Sequence, residues 1–224
     1  MSNPYIPESA MAIYAHPDDI EFSCAGTMAR WAQAGARICY VILTNGDVGI
    51  ADPDIPKDEV IRIRRAESIA AAKAAGVDNV VFMDQHDGML EPTMALRKRL
   101  VREIRKFKPE VVITGDPTIV FASDTYINHP DHRAAATVAL DAVFPAAGQP
   151  NLFEEIEQEE GIKAHKPRKV YISTYRDATT FGNLESTIDT NLAALREHNS
   201  QLLDRPPEPR IRDCAESLAL RRET

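Results

Sequence analysis

Two short stretches of the sequence combine histidine and aspartate in the way that metal-dependent hydrolases do. Residues 16–19 read His-Pro-Asp-Asp, and residues 129–132 read His-Pro-Asp-His. A catalytic zinc ion is typically held by three protein ligands, drawn from histidine nitrogens and carboxylate oxygens, and keeps one position for water. The two stretches together supply the residue types for such a site, although they are more than a hundred residues apart in the sequence.

The spacing within each stretch suggests which residues bind the metal. His16 and Asp19 are three residues apart on a turn that Pro17 tightens, so both side chains can point at one ion. His129 and His132 repeat this spacing, and either of them can complete a set of two histidines and one carboxylate. This donor set favours zinc, with iron or manganese as alternatives.

A hydrolase also needs a base near the attacking water, and Asp18 is free for that role because it lies beside the ligand Asp19. The histidine of the second stretch that does not bind the metal can stabilise an oxyanion or protonate a leaving amine. A metal ion in such a site lowers the pKa of water and polarises a carbonyl group. The alternative, that the Asp-Asp pair only caps a helix, does not explain two such stretches.

The elements that must position these residues follow an alternating pattern. Short apolar, β-branched runs alternate with longer helical patterns, which predicts a mostly parallel sheet with helices on both faces. Both histidine stretches follow predicted strands, at the sheet edge where ligands bind in open α/β folds. The predicted strands cover residues 10–15, 38–43, 80–83, 111–114 and 170–175. The predicted helices cover residues 22–34, 57–75, 93–107, 131–144 and 183–203.

Composition narrows the class of protein. The chain has 224 residues, which predicts a single domain over residues 1–224. A net charge of −8 argues against nucleic acid as a partner, because phosphate binding relies on a positive surface. No apolar run is long enough to span a membrane. The three cysteines are an odd, sparse set that argues against a disulfide framework, and together with the lack of a secretory signal they predict a cytoplasmic location. No CxxC pair is present, which argues against a thiolate zinc site.

Other residues are weaker candidates for the site. His86 lies in a loop beside Asp87 and either lines the site or is plain surface. Tyr126 lies three residues before His129, where it is a weak candidate for binding an oxyanion. His165 and His198 fall outside the two stretches, so we expect them to be structural or exposed. Residues 145–169 form the least regular stretch, and we expect a partly mobile loop there.

The sequence resembles the PIG-L (LmbE-like) N-deacetylases from about residue 10 to residue 200. The two histidine stretches, with their flanking residues, look like the two signature motifs of that family. Residues 44–49, 64–67 and 82–90 also match the usual order of family motifs. The resemblance implies a Rossmann-like sheet, one catalytic zinc ion and hydrolysis of an N-acetyl group from an N-acetylglucosamine-type small molecule. It also implies a homo-oligomer, either a trimer or a hexamer.

The resemblance further implies roles for individual residues. The zinc ligands that it implies are His16, Asp19 and His132. Asp18 matches the general base, and His129 matches the residue that stabilises the tetrahedral intermediate. Asp131 is then a partner that orients a histidine. Arg64 and Asp87 match positions that contact sugar hydroxyls, with Arg65 as a competitor for the position of Arg64.

The chain departs from the family pattern at a few positions, and two other functions remain open. Ala25 and Asp47 replace residues that are often glycine and glutamate in the family. The first alternative function is an amidase acting on a different acyl amide, such as a thiol-sugar conjugate. The second is a Rossmann-like binding protein without catalytic activity. The first predicted strand ends in His-Pro-Asp-Asp and not in GxGxxG, which argues against a dinucleotide-binding protein.

Overall fold

The chain folds around a five-stranded parallel sheet. The central strands are apolar segments buried on both faces, as is typical of parallel sheets. The computed structural model describes residues 5–174, 178–202, 206–207 and 211. The strands are β1 (Ser9–Tyr14), β2 (Arg37–Thr44), β3 (Asn79–Gln85), β4 (Val111–Gly115), β5 (Phe121–Ser123), β6 (Tyr126–Ile127) and β7 (Lys169–Ser173). The sheet has the order β3-β2-β1-β4-β7, and every neighbouring pair is parallel. β5 and β6 form a separate antiparallel hairpin.

Helices cover both faces of the sheet. They are α1 (Asp19–Ser23), α2 (Ala25–Gln33), α3 (Lys57–Ala74), α4 (Met94–Phe107), α5 (Pro130–Asp141), α6 (Glu155–Glu160), α7 (Ile188–Arg196) and α8 (Asn199–Leu202). Met11 and Ile13 of β1 belong to a core cluster with residues of α4 and α5. Ala10 and Ala12 belong to a cluster with residues of α2, α3 and α7. The predicted α/β fold, with helices on both faces of a mostly parallel sheet, is therefore confirmed.

The strand order places the two histidine stretches side by side. From β1 the chain moves outward through β2 to β3, and then returns to the other side of β1 as β4. β1 and β4 are hydrogen-bonded neighbours at the centre of the sheet, with Ala12 opposite Ile113. The carboxyl ends of two such strands, where the strand order reverses, flank the crevice in which open α/β sheets bind ligands.

Several predicted element boundaries are wrong in detail. The predicted helix 22–34 is two helices, separated at Cys24, where the backbone has a φ of −145°. The predicted helix 183–203 is the shorter α7 followed by α8, and its last residue, Leu203, lies outside the described residues. The predicted loop before His129 contains the β5–β6 hairpin. β7 ends at Ser173, and Tyr175, the predicted strand end, is not among the described residues.

The segment after α5, for which we expected a partly mobile loop, is anchored to the core by one arginine. The guanidinium of Arg105, on α4, is buried and donates to the carbonyl oxygens of five residues. These acceptors are Ala146, Ala147, Gln149, Leu152 and Phe153. The helix predicted over 131–144 is regular only as far as Asp141, because Phe144 has extended backbone angles.

Among the described residues, we find no helix that combines the length and the apolar character needed to cross a membrane.

Candidate active site and metal centre

The first histidine stretch forms a tight turn between β1 and α1. Asp18 has a φ of 115°, a left-handed conformation that is uncommon for residues other than glycine and costs free energy. The turn is closed by the backbone N–H of His16, which donates to Asp19 Oδ2 at 2.8 Å. The two aspartates therefore have different partners. Asp19 contacts two histidines, whereas Asp18 pairs with Arg64.

The second histidine stretch begins α5. His129 is the N-cap residue of this helix, and its Nδ1 accepts a hydrogen bond from the backbone N–H of Asp131 at 3.2 Å. Pro130 occupies the first helical position, where its fixed φ is suitable and its missing N–H is not needed. His132 follows within the first turn. The start of this helix therefore fixes where both histidines project.

His16, Asp19 and His132 converge at the ends of β1 and β4. Asp19 Oδ2 lies 3.4 Å from His16 Nδ1, and Asp19 Oδ1 lies 3.1 Å from His132 Nε2. One donor atom from each residue lies within 4.8 Å of the donor atoms of the other two. Two imidazoles and one carboxylate at this separation fit a divalent ion such as zinc and leave room for further ligands. These are the three zinc ligands that the family resemblance implies.

Neighbouring groups orient both of these histidines. His132 Nδ1 lies 3.0 Å from Asn128 Oδ1. His16 Nε2 lies 3.1 Å from Asp87 Oδ1 and 3.3 Å from Asp131 Oδ2. Hydrogen bonds of this kind fix the tautomer of a metal-binding histidine, so that the other ring nitrogen is free to bind the ion.

Asp131 is buried and links the second stretch to the loop after β3. Its carboxylate accepts hydrogen bonds from the backbone N–H groups of Gly88, at 2.7 Å, and Leu90, at 3.2 Å, besides its contact with His16. His16, His129 and Asp131 also form a group of donors within 4.8 Å. Because both carboxylate oxygens of Asp131 are already taken by N–H donors, the group with Asp19 fits a metal better.

Charge in this centre is unbalanced without a cation. Burial lowers the pKa of His16, but hydrogen bonds to Asp131, Asp19 and Asp87 outweigh burial and raise that pKa to about 12. Burial also raises the pKa of Asp19, but hydrogen bonds with His132 and His16 hold it well below its usual range. The carboxylates thus attract positive charge. A divalent cation can take the place of the proton on His16.

Asp18 and His129 have environments that suit acid–base roles. Burial raises the pKa of Asp18 to about 6, although the guanidinium of Arg64 opposes this shift. A carboxylate with such a pKa is ionised at neutral pH and still accepts a proton readily. Burial and the charge of His16 lower the pKa of His129. His129 is therefore neutral at pH 7, and its side chain is 38 % exposed.

The three residues considered for sugar contact, Arg64, Arg65 and Asp87, differ in their exposure and in their partners. The side chain of Arg64 is only 3 % exposed, and its guanidinium lies against Asp18 and the carbonyl oxygen of Pro17. Its competitor Arg65 is 42 % exposed and pairs with Asp84. The Asp87 carboxylate faces His16, while its backbone N–H donates to Asp47. Arg64 lies behind Asp18 and is buried against the protein, a position unlike that of a residue reached from solvent.

The weaker candidates lie around the centre or away from it. The side chain of His86 is 75 % exposed and lies 3.2 Å from Asp47. Tyr126 lies on the exposed face of the β5–β6 hairpin. His165 Nε2 lies 2.7 Å from the carbonyl oxygen of Pro109, so the side chain has a structural partner, as expected.

Sequence reasoning missed two residues near the site. Asn128, which orients His132, directly precedes the second stretch, and its spacing of four residues from His132 was a signal that could have identified it. His198, which we expected to be structural or exposed, is fully buried, and its Nε2 lies 3.3 Å from Glu21 Oε2 of α1, the helix that follows Asp18. It is separated from the first stretch by most of the chain, and no local pattern marks it.

Comparisons with known proteins point to one family. The family model described as "PIG-L: GlcNAc-PI de-N-acetylase" matches residues 11–143. The diacetylchitobiose deacetylase of Thermococcus kodakarensis is 30 % identical over 87 % of this chain and 70 % of its own length. The mycothiol S-conjugate amidase of Streptomyces coelicolor is 30 % identical over 72 % of the chain, which spans 59 % of the amidase's length.

A solved structure shares the fold. The N,N'-diacetylchitobiose deacetylase of Pyrococcus horikoshii superimposes with a TM-score of 0.82 and 26 % identity, covering 92 % of this chain and 76 % of that one. The family match includes both histidine stretches and covers more than half of the sequence. From its sequence motifs, its fold and these similarities, the chain belongs to the PIG-L family of deacetylases.

Proposed function

We propose that the protein is a zinc-dependent N-deacetylase that hydrolyses the acetamide of an N-acetylglucosamine-type amino sugar. The observation that carries the proposal is the convergence of His16, Asp19 and His132 beside Asp18 and His129. The similarity to diacetylchitobiose deacetylases supports the reaction and the substrate class.

The donor set supports one metal site. His16, Asp19 and His132 would hold a zinc ion. When bound, zinc lowers the pKa of water and polarises the acetyl carbonyl. Asn128 and the carboxylates of Asp87 and Asp131 keep the two histidines oriented for this task.

Asp18 acts as the base in this proposal. Its carboxylate takes a proton from the water that attacks the carbonyl carbon of the acetamide. The C–N bond of the tetrahedral intermediate then breaks, and the same proton passes from Asp18 to the leaving nitrogen. The products are acetate and the free amine.

His129 stabilises the developing oxyanion as a neutral hydrogen-bond donor. Its Nδ1 accepts from the backbone N–H of Asp131, so we assign the ring proton to Nε2. Because its pKa is lowered, His129 is a poor source of a second proton at neutral pH. This favours Asp18 over His129 as the group that protonates the leaving nitrogen.

Metal analysis together with acetate release tests the proposal. We expect about one zinc per chain and release of acetate from N-acetylglucosamine or its short conjugates. Zinc binding without acetate release from any N-acetylated sugar would keep the metal site but reject the deacetylase. Failure to bind zinc, iron or manganese would reject the site itself.

A second candidate function is an amidase that acts on a larger acyl amide. The similarity to a mycothiol S-conjugate amidase favours it. Assays with matched N-acetyl and longer N-acyl derivatives of one amino sugar separate the two. A higher kcat/KM for the acetyl derivative supports the deacetylase, and the reverse order supports the amidase.

Three further proposals follow from the chain length, the cysteine content and the family resemblance. A single domain over residues 1–224, a trimeric or hexameric assembly and a cytoplasmic location are predictions. Light scattering of the purified protein measures the mass of the assembly, and limited proteolysis tests the single domain. Fractionation of the source cells tests the location.

A further inference from the structure

Next to Asp18 lies a set of buried and partly buried polar residues that the proposed mechanism does not use. Arg64 and Glu67 come from α3, and Ser200 comes from α8. We call these three residues the rear cluster. Buried polar groups cost free energy unless they are paired, so such a set needs a physical reason.

The residues of the rear cluster contact one another in the order Ser200, Glu67, Arg64. The backbone N–H and the hydroxyl of Ser200 both donate to the Glu67 carboxylate, each at 2.7 Å. Glu67 Oε2 lies 3.9 Å from Arg64 Nη1, and Arg64 Nη2 lies 3.4 Å from Asp18 Oδ2. The same Nη2 donates to the carbonyl oxygen of Pro17. Two hydrogen bonds thus join Ser200 to Glu67, and longer ion-pair contacts lead from Glu67 through Arg64 to Asp18. Nε and Nη1 of Arg64 are buried without a hydrogen-bond partner among the described residues, so the ion pairs are what hold this end of the guanidinium.

The position of Arg64 is enforced from several sides. It lies on the buried face of α3 with Val60 and Ser68. A Cβ at Gly46 would lie 3.2 Å from Arg64 Nε, and one at Gly49 would lie 3.4 Å from it. The guanidinium is thus packed under the loop after β2, where these two glycines allow close approach. It cannot swing into solvent without moving that loop.

The turn that Arg64 contacts is strained. Asp18 has a φ of 115°, and a residue in such a conformation persists only when its surroundings hold it there. The side chain of Asp18 makes no capping bond to α1. The contacts of Arg64 with both the Pro17 carbonyl and the Asp18 carboxylate fix the turn and the carboxylate at the same time.

We propose that Arg64 is a positioning residue that aims the Asp18 carboxylate, and that Glu67 and Ser200 hold Arg64 in place. This inference rests on the proposed role of Asp18 as the base. It differs from the role that the family resemblance implied for Arg64, which was contact with sugar hydroxyls. It also brings α8, which lies outside the residues that match the family model, into the support of the site.

Kinetics of Arg64→Met, Arg64→Lys and Ser200→Ala test the proposal, with Arg62→Met as the matched control. Arg62 lies on the same helix, but its exposed side chain pairs with Glu59. A displaced base slows the chemical step, so we expect Arg64→Met to lower kcat about 100-fold with little change in KM. Arg64→Lys should recover part of kcat, and Ser200→Ala should lower kcat by less than Arg64→Met does. A rise in KM at unchanged kcat would overturn the proposal in favour of substrate contact.

Two readouts do not depend on turnover. The variants should keep the metal content of the unchanged protein, because Arg64 contacts no metal ligand in the group of three. Hydrogen exchange of the backbone amides of residues 16–23 should be faster in Arg64→Met and Ser200→Ala than in the Arg62→Met control. Unchanged exchange in both variants would reject the proposal, even if the unchanged protein released no acetate and the proposed function itself failed.

Discussion

Asp18 and Asp19 are adjacent in the sequence, yet their surroundings give them opposite properties. Burial raises the pKa of Asp18, whereas hydrogen bonds with His132 and His16 hold the pKa of Asp19 low in spite of burial. One carboxylate is therefore suited to accept a proton, and its neighbour is suited to remain ionised beside a metal. The strained backbone at Asp18 is what separates the two environments.

Replacement of Asp18 by asparagine should separate base catalysis from metal binding. The new amide would keep the shape of the side chain but cannot accept the proton of water. We expect kcat to fall about 1,000-fold with zinc content unchanged. His16→Ala is the comparison, because it should lose both metal and activity. Activity near that of the unchanged protein in Asp18→Asn would contradict the assignment of the base, and metal analysis of both variants completes the test.

Asn128 should affect the zinc affinity of the site although it is not itself a metal ligand. Asn128→Ala removes the hydrogen bond that orients His132, so we expect zinc affinity or activity to fall about 10- to 100-fold. Competition with a fluorescent chelator measures the affinity. Asn151→Ala, which changes an exposed asparagine, is the control. Equal affinities in the two variants would mean that His132 is held by its own helix alone.

At the residue scale, the sequence was sufficient to predict the convergence of the two stretches, because both follow strands that parallel pairing brings together. It was not sufficient to choose between Arg64 and Arg65 as residues near the site. Arg64 shares its helix face with the buried residues Val60 and Ser68. That spacing of four was present in the sequence, but a charged side chain on an apolar face is usually taken to be exposed.

At the scale of elements, the segment between α5 and β7 depends on one side chain of α4. Arg105→Met would leave several buried carbonyl oxygens without a donor, and each such loss costs free energy. We expect the free energy of unfolding to fall by about 3 kcal/mol, as measured by urea denaturation. Arg99→Met, at an exposed position of the same helix, should have little effect. A similar loss in both variants would show that the anchoring contacts contribute nothing specific.

The amino-terminal edge of the sheet has a carboxylate that should make stability depend on pH. Glu110 accepts from the backbone N–H of Glu8 and from the Tyr5 hydroxyl, both at 2.8 Å, and these bonds lower its pKa. A lowered pKa stabilises the folded protein above the unfolded-state value and loses that contribution as pH falls. Glu110→Gln should therefore cost more stability at pH 7 than at pH 3. Equal losses at both pH values, in denaturant unfolding, would contradict this.

Element boundaries were the least predictable feature of the fold. The break between α1 and α2 falls at Cys24, a residue with no helix-breaking chemistry, because the packing around the active-site turn decides where α1 ends. The β5–β6 hairpin is short and largely exposed, so it lacks the apolar alternation by which strands are identified. The interruption between α7 and α8 places His198 inside the protein and again reflects tertiary contacts.

At the scale of the whole molecule, the order of strands and helices determined the fold class correctly, since parallel strands joined by helices have few alternative arrangements. The same reasoning placed the two histidine stretches beyond the carboxyl ends of strands. It could not reveal the contact between α8 and α3, because Ser200 and Glu67 are 133 positions apart.

Metal binding should release protons and depend on pH. His16 is protonated in the metal-free protein because its pKa is raised to about 12, so zinc must displace a proton from it. The apparent zinc affinity should therefore increase about tenfold for each pH unit from pH 6 to pH 8. Calorimetry in two buffers of different ionisation enthalpy counts the protons released. Binding without proton release would show that His16 is neutral before the metal arrives.

The β5–β6 hairpin has a consequence for how this protein can diversify. Its base is closed by Asn128, whose backbone N–H donates to the Val120 carbonyl at 2.8 Å and whose side chain donates to Ile119. The outer residues of the hairpin, which include Phe121 and Ile127, are exposed. Grafting another hairpin onto this closed base would thus replace the exposed surface after β4 while Asn128 and the histidine that it orients stay in place.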